Sequence, residues 1–283
     1  MSDLNCHIAA LAVHPIKSCA GIEVRDALLI ETGLEFDRAW MVVTPQGEML
    51  TQRDLPRMAL IRPALRSQDM VLRAPGMLAL HVELGVVEEP TRVRVWDDEV
   101  KAYDMGALAA QWFSDFLGQP LRLVRFDPEQ RRLSSARWAG EVQAENAFAD
   151  AYPILVASTA SLADLNQRLA ARGQAPVTMQ RFRPNLVLDG LEAFDEDHID
   201  EITIQTGEGP VRLRLVKPCT RCSIPNVEPE TPATGHEPGD TLATFRADAR
   251  VDGGITFGMN AVVLEGFDRT LQVGQAATAT YKF

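Results

Sequence analysis

The sequence predicts a mostly β protein of the α+β class, made of two β domains with a few helices. Short apolar or alternating segments of strand length recur along the chain, separated by turn residues such as Pro75, Gly76 and Pro90. Helical periodicity is confined to two clear stretches, 107–117 and 158–172. The tail, 251–283, spaces Gly253, Gly254, Gly258, Gly266 and Gly274 between apolar pieces, as the closing strands of a barrel do. A length of 283 residues leaves room for two cores. We expect domains at 1–126 and 127–283.

In chain order, residues 7–13 read as a short buried strand that Pro15 ends, leaving Lys17 and Ser18 on a turn and reaching outward. Residues 40–43 and 49–51 read as a hairpin around Thr44, Pro45, Gln46 and Gly47, with Asp37 and Arg38 as a surface ion pair at its entrance and Arg53 and Arg57 just after it. Strands follow at 70–72, 78–84 and 93–96. Leu108, Trp112, Phe113, Phe116 and Leu117 then form the apolar stripe of a helix that Gly118 caps.

A strand at 121–126 leads into the polar run 127–145, a mobile loop or domain crossing whose Arg131, Arg132 and Arg137 could touch a ligand but read first as solvated charge. A buried strand, 154–156, precedes the second helix, started by Ser158 and Ser161 and ended by Arg172 and Gly173. Such a helix start can bind an anion, though capping serines mostly bind their own backbone. Arg181, Arg183 and Asn185 stand just ahead of a strand at 186–188, and further strands at 201–204 and 211–216 run into a Pro-flanked loop. Residues 225–238, rich in Pro, Glu and Thr, read as a surface excursion.

The formal charge of −11 argues against a nucleic-acid backbone or an anionic membrane as the main partner, since both reward a basic face, so any anion site must be local. No apolar run approaches the roughly 20 residues a bilayer span needs. Four cysteines, Cys6, Cys19, Cys219 and Cys222, are too few for a disulfide scaffold of this length, so a reducing, cytoplasmic setting is expected.

The chemistry centres on 217–226, where Cys219 and Cys222 flank Thr220 and Arg221. A thiol acts as nucleophile or soft-metal ligand as its thiolate, which Arg221 and Lys217 favour by charge. Structural zinc wants four thiolate or imidazole ligands, usually from paired knuckles, and only one C-x-x-C is present. A thioredoxin-like dithiol would open a helix, which the Pro-rich sequence after Cys222 does not start. A buried inert pair, or one thiolate holding a softer metal beside basic and amide groups from other loops, remain.

The segments His14–Ser18 (HPIKS), Asp37–Trp40 (DRAW), Phe148–Pro153 (FADAYP), Ser161–Asn166 (SLADLN), Phe182–Asn185 (FRPN) and Cys219–Cys222 (CTRC) together resemble, in this order, the molybdenum-cofactor proteins of the MOSC superfamily, above all the amidoxime-reducing components and their bacterial relatives. The resemblance implies an N-terminal MOSC-type β domain, a MOSC β-barrel and the molybdenum cofactor, Mo-molybdopterin, between them. Position by position, it implies Cys222 as molybdenum ligand and catalytic residue. Lys17, Ser18, Arg38, Asp150, Arg183, Asn185, Thr220 and Arg221 would hold or line the cofactor, with Asp150 a candidate proton relay. Ala151 and Tyr152 stand where some relatives carry smaller hydroxylated residues. The implied activity is reduction of N-hydroxylated compounds, such as hydroxylamino-purines and amidoximes. Because the sequence carries no ferredoxin-type cysteine set, electrons would come from a separate flavin reductase or ferredoxin-like protein. The alternative is a molybdenum-cofactor carrier, or a sulfur-transfer protein working through a Cys222 persulfide.

Overall fold

The structure, a computed structural model, describes residues 4–87 and 89–282; the expected closing segment thus runs one residue, Phe283, past the described part. It is mostly β. Among the described residues, seven strands close into a barrel in the order Ile154–Ser158, Leu186–Asp189, Leu4–Val13, Ala276–Tyr281, Ile199–Thr206, Gly209–Thr220 and Gly254–Glu265, the last pairing back onto Ile154–Ser158. Closure removes the sheet edge. It also encloses a core of inward side chains, including Ile8, Leu11, Leu188, Ile202, Leu213 and Met259.

Most neighbours are antiparallel, but Ile154–Ser158 and Leu186–Asp189 run parallel. That pair needs a crossover, which the helix Thr159–Ala171 supplies by packing Leu165 and Leu169 against Phe182 and Phe257. Ser158 caps this helix through the backbone N–H of Ser161, and both hydroxyls bond the buried Glu196 carboxylate. The helix start therefore serves its own fold rather than a ligand. Burial pushes the Glu196 carboxyl up from its ordinary range, against those hydroxyl bonds.

The second β unit packs a four-stranded sheet, in the order Trp40–Val43, Arg122–Phe126, Asp98–Asp104 and Glu89–Val95, beside a three-stranded one formed by Arg62–Leu65, Asp69–Arg73 and Leu80–Glu83. The helix Gly106–Leu117 lays Trp112, Phe113 and Phe116 on this core and ends at Gly118, whose φ of 80° is left-handed. The second arm of the 40–51 hairpin is reduced to a single bridge from Val43 to Met49.

Hydrogen bonding does not divide at residue 126. Strand Leu4–Val13 lies inside the barrel between Leu186–Asp189 and Ala276–Tyr281, and Asp26–Ile30 pairs with Thr270–Gln272. The chain thus begins in the barrel, crosses into the second unit and returns. No helix among the described residues is long and apolar enough to cross a membrane.

Candidate functional site

A cleft of about 420 Å³ opens between the two β units. All nine residues singled out above, Cys222 included, line it. Six cationic side chains, Lys17, Arg38, Arg53, Arg183, Lys217 and Arg221, face one lining carboxylate, Asp150, in a protein of net charge −11. Such a local surplus of positive charge concentrates an anionic ligand.

The turn after Leu4–Val13 supplies the first group. The Lys17 backbone N–H donates to the Trp40 carbonyl (2.8 Å), which locks the turn against the second unit. The Lys17 ammonium points inward, contrary to the expected outward turn, and donates to the Phe148 carbonyl (2.8 Å) and Asp150 Oδ1 (2.5 Å). Burial lowers its pKa, with Asp150 opposing the shift. Ser18 holds a left-handed φ of 67°, and its carbonyl accepts from buried Gln52 (2.7 Å).

Arg38 is not half of a surface pair. Asp37 is buried, accepts from the His14 backbone N–H (2.7 Å) and takes Arg38 Nη1 at 2.6 Å. The remaining Arg38 bonds go to Asn185 Oδ1 (3.2 Å) and the Arg183 carbonyl (3.0 Å). Asn185 Oδ1 also accepts from the Leu155 backbone, and its amide nitrogen donates to the Ala12 carbonyl, so this side chain braces Arg38 and three barrel segments. Arg183 donates to the Cys19 carbonyl (2.6 Å). Burial and the neighbouring Arg38 bring its pKa down to about 9.

The strand Gly209–Thr220 continues through the segment where the sequence suggests a loop. Pro218 fits because the pairing with Gly254–Glu265 is bulged on both sides of it. Thr220 therefore ends a strand at the cleft, with Cys222 exposed just beyond. Arg221 donates to Cys219 Sγ (2.9 Å) and the Phe182 carbonyl (2.9 Å), so its charge serves Cys219 rather than Cys222.

Asp150 sits opposite, its side chain 63% exposed to the cleft. Partial burial would raise its pKa, but the Lys17 charge and the bonds from Lys17 and Trp96 outweigh this and hold it near about 2. It is therefore ionised at neutral pH. That makes it a poor proton donor and a strong anchor for Lys17.

Three further side chains shape the cleft beyond those nine. Arg132, expected to be solvated, is buried; its Nη1 binds Asn146 Oδ1 and the carbonyls of Ala147 and Ala149 (2.6–2.9 Å), and its Nε binds Asp98 (3.0 Å). It thus positions the loop that carries Asp150. Trp96 donates its indole N–H to Asp150 Oδ1 (3.1 Å), and Arg53 stacks on that indole at 4.7 Å. Arg132 and Arg53 carried a signal as arginines in an acidic chain; Trp96 carried none.

Ser18, Arg38, Trp96 and Arg183 all hold positive φ, between 49° and 67°. Left-handed non-glycine residues cost about 1–3 kcal/mol each and persist where surrounding structure imposes them.

Comparison with known proteins agrees with this architecture. A family model described as the MOSC N-terminal beta barrel domain matches residues 5–120, and one described as the MOSC domain matches 143–278. The chain is 36% identical over 251 residues to the mitochondrial amidoxime reducing component 2 of Rattus norvegicus, covering 84% of this chain and 72% of that protein. It is 37% identical over 249 residues to component 1 of Mus musculus (84% and 71% covered) and 35% identical over 249 residues to component 1 of Homo sapiens (84% and 72%).

Proposed function

This chain belongs to the family of two-domain MOSC proteins that includes the mitochondrial amidoxime-reducing components, and from that membership we propose that it is a molybdenum-cofactor-dependent reductase of N-hydroxylated compounds. The observation that carries the proposal is the cationic cleft with one exposed thiol at its edge.

The residues present fit a phosphorylated pterin bearing a metal. Arg183 Nη2 and Arg221 Nε are buried at the cleft without a hydrogen-bond partner, and a buried unpaired guanidinium N–H calls for an anionic acceptor. Lys17, Arg38, Arg183 and Arg221 would take the phosphate and the polar pterin edge, Ser18 and Thr220 would offer hydroxyls, and Asn185 would keep Arg38 in place. Cys222 would ligate the metal. When bound, the cofactor supplies a two-electron reduction centre.

The protein's own groups do the rest. Asp150 keeps the Lys17 ammonium oriented into the cleft, and Arg132 keeps Asp150 in place. Asp150, held as a carboxylate, has no proton to give at neutral pH, so protons for N–O cleavage would come through Lys17, whose pKa burial lowers against the pull of Asp150. Electrons would reach the site from a separate flavin or ferredoxin-like protein, a reading supported by the names of the relatives, each a component of a reducing system. Free thiols suit a reducing cytoplasm.

Cys222→Ser tests the reading. Protein made in cells that synthesise molybdenum cofactor is expected to carry near-stoichiometric molybdenum and to reduce N-hydroxylated substrates with reduced methyl viologen; the variant is expected to lose both. Molybdenum without turnover, or a dithiothreitol-labile gain of one sulfur on Cys222, would favour the carrier or sulfur-transfer role.

A further inference from the structure

Trp96 stands at the tip of the hairpin that joins Glu89–Val95 to Asp98–Asp104. Val95 pairs with Asp98, so Trp96 and Asp97 form a two-residue turn, and Trp96 carries its positive φ of 55°. A tight turn with positive φ at its first central position favours glycine. A bulky aromatic there is an outlier that local preference does not explain.

Burial does not explain it either, because Trp96 remains 43% exposed. Its fixings all lead to the cleft. The indole N–H is tied to Asp150, one face carries the Arg53 guanidinium, and Arg53 Nε is itself held by Thr51 Oγ1 (3.2 Å). Arg132 grips Asp98 at the end of the turn and the Ala149 carbonyl beside Asp150, so hairpin tip and carboxylate are set against each other. The ring is thus oriented at the mouth of the cleft, with substantial surface left open.

We propose that Trp96 is the specificity-determining wall of the cleft, stacking a flat heteroaromatic substrate whose exocyclic N-hydroxylated nitrogen enters toward Cys222. This rests on the reductase reading. A π-face suits any planar ring, so base–aromatic stacking tolerates every base. Asp150 accepts from both Lys17 and Trp96 through Oδ1, which leaves Oδ2, among the described residues, to accept from an N–H edge of the same ring. Small non-aromatic N-hydroxylated compounds gain nothing from the wall.

The test compares wild type, Trp96→Ala and Trp96→Phe with reduced methyl viologen, using 6-hydroxylaminopurine as the flat substrate and hydroxylamine as the small one. Calorimetry with adenine, the amine-type product, gives a readout independent of turnover. Trp96→Ala is expected to lose about tenfold more kcat/KM on the purine than on hydroxylamine, mostly through KM, and to weaken adenine binding about tenfold. Trp96→Phe keeps a ring but not the N–H, and is expected to retain most of the preference. Equal losses on both substrates, or loss of the preference in Trp96→Phe as in Trp96→Ala, would reduce Trp96 to a brace for Asp150 and overturn the proposal. If wild type reduces neither compound the reductase reading fails, and the adenine titrations alone then decide: weakening in Trp96→Ala but not Trp96→Phe supports the wall, and unchanged affinity overturns it.

Discussion

His14 and Asp37 lie behind Arg38 and fix its position, and their ionisation couples the site to pH. Burial, with help from Arg38 and Arg183, lowers the His14 pKa to about 3, against the pull of Asp37. Burial pushes the Asp37 carboxyl up, but Arg38 and His14 overcome this and hold it at about 2. The signs agree. Unfolded His14 takes a proton near pH 6.5 and the folded residue refuses it until about pH 3, so its contribution to stability falls as pH drops through that window. Asp37 contributes above its ordinary carboxylate range, and that contribution is lost as pH falls toward about 2. Urea unfolding followed between pH 6 and 4 is therefore expected to lose stability on acidification at a rate approaching about 1.4 kcal/mol per pH unit for the one proton His14 excludes. His14→Gln should flatten this slope, whereas an unchanged slope would place the coupling elsewhere.

Among the elements, the long strand Gly254–Glu265 joins two strands that border the site. Its neighbours on the two sides are Gly209–Thr220, which delivers Thr220 to the cleft, and Ile154–Ser158, which follows the Asp150 loop. Gly258 lets it pass between them. Its φ is +76°, and a Cβ there would lie 2.7 Å from the Val156 carbonyl oxygen, a backbone atom with little room to move. Gly258→Ala is expected to cost more than about 2 kcal/mol, since the left-handed penalty alone is about 1–2 kcal/mol. Gly118→Ala provides the comparison: Gly118 is equally left-handed but has nothing within 4 Å of the added carbon, so only the backbone penalty applies. Thermal unfolding of both variants measures the difference, and equal costs would show that the close approach to Val156 does not matter.

At the scale of the whole molecule, the barrel is completed by the first strand of the chain. Leu4–Val13 fills the gap between Leu186–Asp189 and Ala276–Tyr281, and its Ile8 and Leu11 are buried in the barrel core. A fragment of residues 127–283 would expose two unpaired strand edges and the apolar surface those side chains cover. It is expected to lack cooperative unfolding and to be cut quickly by protease, while the full chain resists. A cooperative, protease-resistant fragment would show that the barrel closes without its first strand. The same threading builds the cleft: Lys17 and Ser18 leave the barrel strand directly and meet Asp150, Arg183 and Cys222 from the far part of the sequence.

The amino-acid sequence by itself determined the local elements and the inventory of the site. Period-2 and period-3.6 patterns depend on neighbours along the chain, which is why the helix Gly106–Leu117 with its Gly118 cap, the strand Leu186–Asp189 and the 211–216 part of Gly209–Thr220 were legible from order alone, while the extension of that strand through Pro218 was not. The motifs around Lys17, Arg38, Asp150, Arg183 and Cys222 were legible as a set only through the family resemblance that they carry together and in order. Tertiary structure alone decided what each group does, because burial and ionisation depend on what long-range folding brings alongside. Arg132 is inside only because Asp98 and the Ala147 and Ala149 carbonyls meet it there, and Asp150 is locked as an anion only because Lys17, 133 positions away, reaches it. Trp96 looks like any surface aromatic until the hairpin tip is set against Asp150. The barrel's closure by its first strand follows the same logic, since strand pairing between distant segments leaves no trace in the spacing of either one.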